Sequence, residues 1–462
     1  MGAGLLAALF LACRQERLHP VDPGTFIELL QNGEYAQYDR HVAFLPLVAA
    51  VMWLFGTGAY QAMVLTTAVG SATGCFFLHR AARRLVRPAP DAMLVVLAVA
   101  LTPAVLYYAT AVEIHGVFFA GAGAAWWAFA RWHDRPGPAA AALLGAMCGL
   151  AATLHSYGAL LPPTFAGTAW ALRCWPRRNL LGQALAGTAG FVAAAAFVAW
   201  PLRGDAAAQA GAAAQFLGDW IIGIAIADFP RLLASEWLLP FAPWSLLALG
   251  ALGPARSRPW AMACLAGLAV HLPVTMLLLS RGTGVSESGA YHLSLAVPAV
   301  LAAGAWLSRR AFVVALVASA LIGSVWLAPR LRSAYSPQFV AGLAELQQER
   351  KFTLLASTGE LEGVRKHFSG IPCFDALEHL QVFSGSAQCR NGTVTLARWF
   401  DACANIVEAA GAPWLITDAA CEALAGSVRA DVRSLVSEHV LRNYRQEPVH
   451  RAGLHGLLLK KQ

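Results

Sequence analysis

Charge is what this sequence has least of. Asp, Glu, Lys and Arg together make up 13% of its 462 residues, while hydrophobic residues make up 58%. Soluble chains carry roughly 25% charged and about 45–50% apolar residues, so an ordinary soluble globular protein is excluded. Lysine is scarce beside arginine, which gives the chain a bacterial look. There is no tandem repeat and no low-complexity tail. No pair of histidines four apart flanks a glutamate, so the familiar zinc-protease spacing is absent. No basic stripe interleaved with aromatics exists either, which removes nucleic acid as a partner despite the formal net charge of +8.

What is there is a succession of apolar runs of membrane length. A hydrocarbon core of about 30 Å takes roughly 20 apolar residues per helix, and such runs recur with short loops as far as Pro329. Arginines cluster at alternate loops: Arg80, Arg83, Arg84 and Arg87; Arg131 and Arg135; Arg173, Arg177 and Arg178; Arg256 and Arg258; Arg309 and Arg310. The positive-inside rule makes these loops cytoplasmic.

With that constraint the spans read as Met1 to Ala12, Tyr60 to Leu78, Ala92 to Tyr108, Gly116 to Ala130, Ala139 to Leu154, Tyr157 to Leu172, Leu180 to Pro201, Trp237 to Leu252, Trp260 to Leu279, Leu293 to Leu307 and Phe312 to Leu327. The expected fold class is a polytopic α-helical membrane protein of about eleven spans. Met1 to Ala12 is short for a crossing, and it lacks the basic start and cleavage signal of a secretory peptide. It reads as a tilted or partial helix, or as the end of one beginning upstream. His41 to Phe55 reads as a helix lying in the outer interface; the alternative is a true span paired with a non-crossing Met1 segment.

Composition shifts at Arg330 to Pro337. Residues 1–330 form the transmembrane domain, and residues 331–462 are expected to form a small extracytoplasmic α/β domain. Its strands are expected at Thr353 to Ser357 and Pro413 to Thr417, and its helices at Glu360 to His367 and Phe400 to Ala410. Cys373, Cys389, Cys403 and Cys421 form an even set where disulfides can form; pairing and free buried thiols both remain open.

The rare ionisable groups collect on the outer side. Glu113 and His115 fall in a turn between two apolar runs, Asp22 and His41 flank the first outer stretch, and Arg281, Glu287 and His292 crowd a later one. Ionisable groups at membrane depth mark functional sites.

The first outer loop, His19-Pro20-Val21-Asp22-Pro23-Gly24-Thr25-Phe26 and then Asn32-Gly33-Glu34, leads through His41 and Pro46 to an apolar helix ending in Phe55-Gly56. It resembles the C-type superfamily of membrane glycosyltransferases (GT-C), which includes protein O-mannosyltransferases, aminoarabinose transferases and oligosaccharyltransferases. Glu113 and His115 stand where many members place a second acidic residue. Arg281, then Ser288-Gly289-Ala290-Tyr291-His292-Leu293 and Pro298, match the family's basic residue and Tyr-x-Leu stretch before a late helix. The resemblance covers the transmembrane part and not the last domain. It implies transfer of a sugar, with inversion, from a polyprenyl-phosphate donor to a glycan, lipid or protein acceptor on the extracytoplasmic face of the bacterial inner membrane.

That chemistry needs a base for the acceptor hydroxyl and a cation for the departing phosphate. Asp22 is the candidate base, with a helix N-cap as its ordinary role. Arg281 is the candidate phosphate clamp, because guanidinium pairs with phosphate oxygens bidentately; a snorkelling arginine is the ordinary alternative. Glu113 is the second candidate catalytic carboxylate, and with His115 it could hold a divalent metal. His41, His115, Glu287, Tyr291 and His292 are candidate substrate contacts. His271 lies inside a span, and His79 and His133 are cytoplasmic, so all three are left out of the site. Asp219, Asp228 and Glu236, scattered carboxylates flanking Trp220 and Trp237, read as a solvated face, with sugar binding as the alternative. A secondary transporter or lipid flippase is the rival reading, though transporters tend to place charges near mid-membrane in two related halves. A non-catalytic scaffold would need none of the outer polar groups.

Overall fold

The computed structural model describes residues 2–18, 23–35, 42–85, 92–174, 179–199, 229–279, 289–368, 371–375, 398, 400–401, 413–425 and 435–461. The chain divides into two compact units, Met1–Leu331 and Arg332–Gln462.

The first unit is helical. It runs α1 (Gly2–Ala12), α2 (Pro23–Asn32), α3 (Phe44–Phe55), α4 (Ala59–Leu85), α5 (Ala92–Ala100), α6 (Pro103–Thr110), α7 (His115–Asp134), α8 (Pro138–Leu154), α9 (Leu161–Ala171), α10 (Leu180–Ala199), α11 (Phe229–Leu233), α12 (Trp244–Gly250), α13 (Arg258–Leu279), α14 (Ala296–Trp306) and α15 (Arg309–Leu327). Short 3₁₀ turns, Ser156–Leu160 and Ala290–Leu295, lead into α9 and α14.

Among the described residues three helices are long and apolar enough to cross a membrane by themselves: Ala59–Leu85, Leu180–Ala199 and Arg309–Arg330. The run expected as one span from Ala92 to Tyr108 is broken, α5 and α6 meeting at a 68° bend. Pro103 explains the break, since proline suits a first helical turn and pushes the residue before it out of the helical region. Thr102 is accordingly extended, at φ −60° and ψ 134°. The run from Trp237 to Leu252 is also discontinuous, passing through a π-helical turn, Ala234–Leu238, before α12. Gly2–Ala12, Phe44–Phe55, Pro138–Leu154 and Ala290–Trp306 are shorter apolar helices.

Small residues let α4 and α7 run side by side. A Cβ on Gly116 would lie 2.5 Å from Thr67 Cγ2, and one on Gly123 would lie 2.5 Å from the Gly74 carbonyl oxygen. Numbers rise together along both helices, so the two are parallel. Close backbone approach of this kind is how helices associate in lipid, where burial of apolar surface offers no driving force. At their far ends Arg84 pairs with Asp134 at 2.8 Å. The nineteen-residue rise from His115 to Asp134 is about 28 Å, close to one hydrocarbon thickness. Arg80, Arg83, Arg84, Arg131 and His133 thus gather at one end of the helix pair, and Glu113 and His115 at the other.

The second unit carries a five-stranded sheet in the order β2-β1-β3-β5-β4, with β1 Thr353–Ala356, β2 Cys373–Asp375, β3 Trp414–Thr417, β4 Tyr444–Arg451 and β5 Leu454–Lys461. β1 is parallel to β2 and β3, whereas β5 is antiparallel to β3 and β4. Helices Pro337–Glu349 and Thr358–His367 accompany it, and Phe339, Leu343, Leu354, Val364, Leu415 and Leu458 form its core. The expected strands are found within a residue or so, because β1 and β3 are buried on both faces and so read as short unbroken apolar runs. Cys421 is a free thiol. Cys389, Cys403 and most of the expected Phe400 to Ala410 helix lie outside the described residues.

Candidate functional site

Helix ends build the site. The four residues between α6 and α7 carry Glu113, which is buried; its Oε1 accepts the Ile114 N–H at 3.0 Å, and its backbone carbonyl accepts the Thr67 hydroxyl at 2.8 Å. Thr67 thereby ties the turn to α4. On either side of Glu113, Val112 and Ile114 belong to one apolar cluster with Leu18, Phe26, Ile27 and Leu30 of the first loop and Phe44 and Val48 of α3. Gln15 reaches the same end of α6, its Nε2 donating to the Tyr107 carbonyl at 2.7 Å and to Thr110 Oγ1 at 3.2 Å. The described flanks of the first outer loop therefore pack around Glu113.

His115 opens α7 inside a ring of aromatic groups. Its imidazole lies 4.9 Å from the Tyr108 ring, 4.8 Å from His155 and 5.9 Å from Tyr291, centre to centre. His155 ends α8, which antiparallel packing against α7 brings back to the same end; a Cβ on Gly121 would lie 2.9 Å from Ala151 Cα. The Tyr157 N–H donates to His155 Nδ1 at 3.1 Å, so His155 caps the following 3₁₀ turn and, when neutral, keeps its proton on Nε2. Tyr157 stacks on Tyr291 at 4.3 Å, and Trp126 of α7 donates to the Ser294 carbonyl at 3.1 Å. That bond fixes the Ala290–Leu295 turn against α7.

His292 is fully buried. Its ring lies 5.8 Å from that of His271, and its Nε2 is 3.5 Å from Thr275 Oγ1. Tyr157 Oη and Thr275 Oγ1 are 3.3 Å apart. Glu113, His115, Tyr291 and His292 thus share one end of the first unit. Asp22, His41, Arg281 and Glu287 lie outside the described residues.

Two residues set aside on sequence belong beside this cluster. His271, expected inside a span and away from the site, sits against Tyr291 and His292, 3.0 Å from Thr164 Oγ1. Its partners come from α9 and from the turn before α14, so its own helix gave only one sign of them: Thr275, four residues on, on the same face. Glu236, expected on a solvated face, differs too. It is fully buried, and its Oε2 accepts the Gly289 N–H at 2.9 Å. Trp237 and Phe241, whose rings stack at 4.7 Å, mark the apolar surroundings that exclude water there. Asp219 and Asp228 lie outside the described residues. Among the described residues no group of three or more His, Cys, Asp or Glu side chains is arranged to hold a metal ion.

No family model matches the chain, and no curated protein matches it by sequence. Solved structures do match. ArnT from Cupriavidus metallidurans bound to undecaprenyl phosphate superposes with a TM-score of 0.59 at 14% identity, covering 99% of this chain and 96% of that one. In the apo state the same protein gives 0.56 at 15% identity, covering 99% and 97%. The arabinofuranosyltransferase AftD from Mycobacteria gives 0.53 at 14% identity, covering 100% of this chain and 40% of that one. The chain therefore has the fold of the C-type membrane glycosyltransferases, as the resemblance in its outer loops implied. Of these two proteins, ArnT is matched over nearly the full length of both chains.

Proposed function

We propose that this protein is an integral membrane glycosyltransferase that moves a sugar from a polyprenyl-phosphate donor to an acceptor outside the cytoplasm. The observation that carries the reading is the match, over 99% of this chain, to an ArnT structure holding undecaprenyl phosphate. The collection of Glu113, His115, His155, Tyr291 and His292 at the end opposite the arginines supports it, because the headgroup of a lipid-linked donor lies at the end of a membrane bundle, within reach of an acceptor. In this reading Asp22 accepts the acceptor hydroxyl proton as that oxygen bonds to the anomeric carbon. The bond from that carbon to the phosphate oxygen breaks, and polyprenyl phosphate departs with its charge met by Arg281. Attack opposite the leaving group inverts the anomeric centre. Glu113 orients the acceptor or holds a divalent ion with His115, and Glu287, His41, Tyr291 and His292 contact the substrates. The membrane is the bacterial inner membrane, with residues 331–462 outside.

The test is transfer of label by the purified full chain in detergent from a panel of polyprenyl-phosphate sugars. Release of polyprenyl phosphate with label passing to an acceptor is expected. Well-folded protein that cleaves no donor, yet moves lipid-linked sugar across a liposome bilayer, would establish the flippase reading instead.

A further inference from the structure

The turn Gly289-Ala290-Tyr291 is held on both sides by buried ionisable side chains from two different segments. On one side Glu236, in the π-helical turn between α11 and α12, accepts the Gly289 N–H at 2.9 Å. On the other, His271 of α13 places Nδ1 2.9 Å from the Tyr291 carbonyl oxygen. A carbonyl only accepts, so His271 Nδ1 carries the proton; Nε2 lies 3.0 Å from Thr164 Oγ1, whose single hydroxyl proton is shared between that nitrogen and the Leu160 carbonyl at 2.7 Å. Both side chains are fully buried. A buried carboxylate and imidazole in a membrane bundle are expensive to desolvate, and an apolar residue would fill either place at lower cost.

What the two polar groups achieve is position. Gly289 is left-handed, at φ +90°, and a Cβ there would lie 2.6 Å from Pro240 Cβ and 2.9 Å from Phe241 Cε2. The turn is thus seated directly on the segment following Glu236. From this seat the Tyr291 ring stacks on Tyr157 at 4.3 Å and stands 5.9 Å from His115 and 6.0 Å from His155. Shifting the turn shifts the ring, because only one rotatable side chain separates them.

We propose that Glu236 and His271 are positioning residues that clamp this turn and so hold Tyr291 against the His115–His155 pair. The proposal rests on the transferase reading and names the side chains that keep its site in register. Neither residue is assigned a step in the reaction.

The experiment uses the full chain in detergent and two conservative pairs. H271N places its amide N–H near the position of Nδ1–H and retains the Tyr291 bond, whereas H271Q reaches the Nε2 position and retains only Thr164. E236Q keeps a carbonyl acceptor for Gly289, whereas E236L does not. Hydrogen–deuterium exchange of the peptide spanning 289–296 should stay within about threefold of wild type in H271N and E236Q, and rise about tenfold, the scale of one lost hydrogen bond, in H271Q and E236L. Other peptides should be unchanged. Turnover should fall in the same order, with the donor KM nearly constant. Equal exchange in H271N and H271Q, or in E236Q and E236L, overturns the clamp, and each pair decides alone should a variant of the other fail to fold. The expected exchange pattern in a protein that transfers no sugar keeps the clamp and overturns the transferase reading.

Discussion

Gly116→Ala tests whether the helix packing sets the site. The added Cβ would lie 2.5 Å from Thr67 Cγ2, 2.8 Å from Ser71 Oγ and 3.0 Å from the Thr67 carbonyl oxygen, where ordinary contact is 3.4–4 Å. Thr67 cannot simply rotate away, because its hydroxyl donates to the Glu113 carbonyl at 2.8 Å. Either that bond breaks, or α4 and α7 separate by roughly 1 Å at the end bearing Glu113 and His115. The expected stability loss is about 1–3 kcal/mol, the usual range for overpacking. A 1 Å displacement of site groups can cost ~10²-fold in rate, so turnover should fall by tens of fold or more. The control is Gly123→Ala, seven residues and about 10 Å further along α7, where the clash is with Gly74 backbone atoms at 2.5 and 2.8 Å. It should destabilise by a similar amount while costing clearly less turnover. Label transfer from a polyprenyl-phosphate sugar and the thermal midpoint in detergent read the two effects separately. Wild-type turnover in Gly116→Ala, or equal turnover losses in both variants, would refute the argument.

If Asp22 is the base, Asp22→Asn should express normally and lose about 10²- to 10⁴-fold in turnover, the scale of general-base catalysis; more than a third of wild-type activity would make Asp22 a helix cap. Arg281→Ala should impair donor use more than Arg281→Lys, which keeps a point charge and loses the planar fork, and identical near-wild-type kinetics would return Arg281 to a snorkelling role. Should Glu113 and His115 share a divalent ion, chelator inactivates wild type reversibly and Glu113→Gln mimics it; should Glu113 orient the acceptor directly, chelator has no effect and Glu113→Gln raises the acceptor KM. Full activity of both Glu113→Gln and His115→Ala removes the pair from the site. In the second unit burial pushes the Cys421 thiol from its ordinary 9.0 up to about 11, with Asp418, Glu360 and Glu422 adding to the effect. The folded state keeps the proton where the unfolded chain loses it, so this contribution to stability is complete below pH 9.0 and is lost as pH rises towards about 11. Cys421→Ser should flatten the decline over that window in alkaline denaturation curves, and an unchanged curve would contradict the burial argument.

The sequence by itself determined the class of protein. Runs of apolar residues with arginines at alternate loops need only one-dimensional counting, because a bilayer demands length and composition from each helix regardless of its neighbours. Residues 353–357 and 413–417 were legible as strands for a related reason, burial on both faces leaving an unbroken apolar run. The grouping of Glu113, His115, Tyr291 and His292 at the end away from the arginines followed from the same parity of loops. Only the tertiary structure decided which groups touch. Pro103 was visible in the sequence, but whether it would merely kink a span or break it by 68° depended on how α5 and α6 pack. The surroundings of His271 and Glu236 are not legible in sequence because their partners, Thr164, Tyr291 and Gly289, lie far away in the chain. A histidine in a span and a glutamate near a tryptophan look the same in sequence whether or not a distant backbone group arrives to meet them, and that arrival is a property of packing alone.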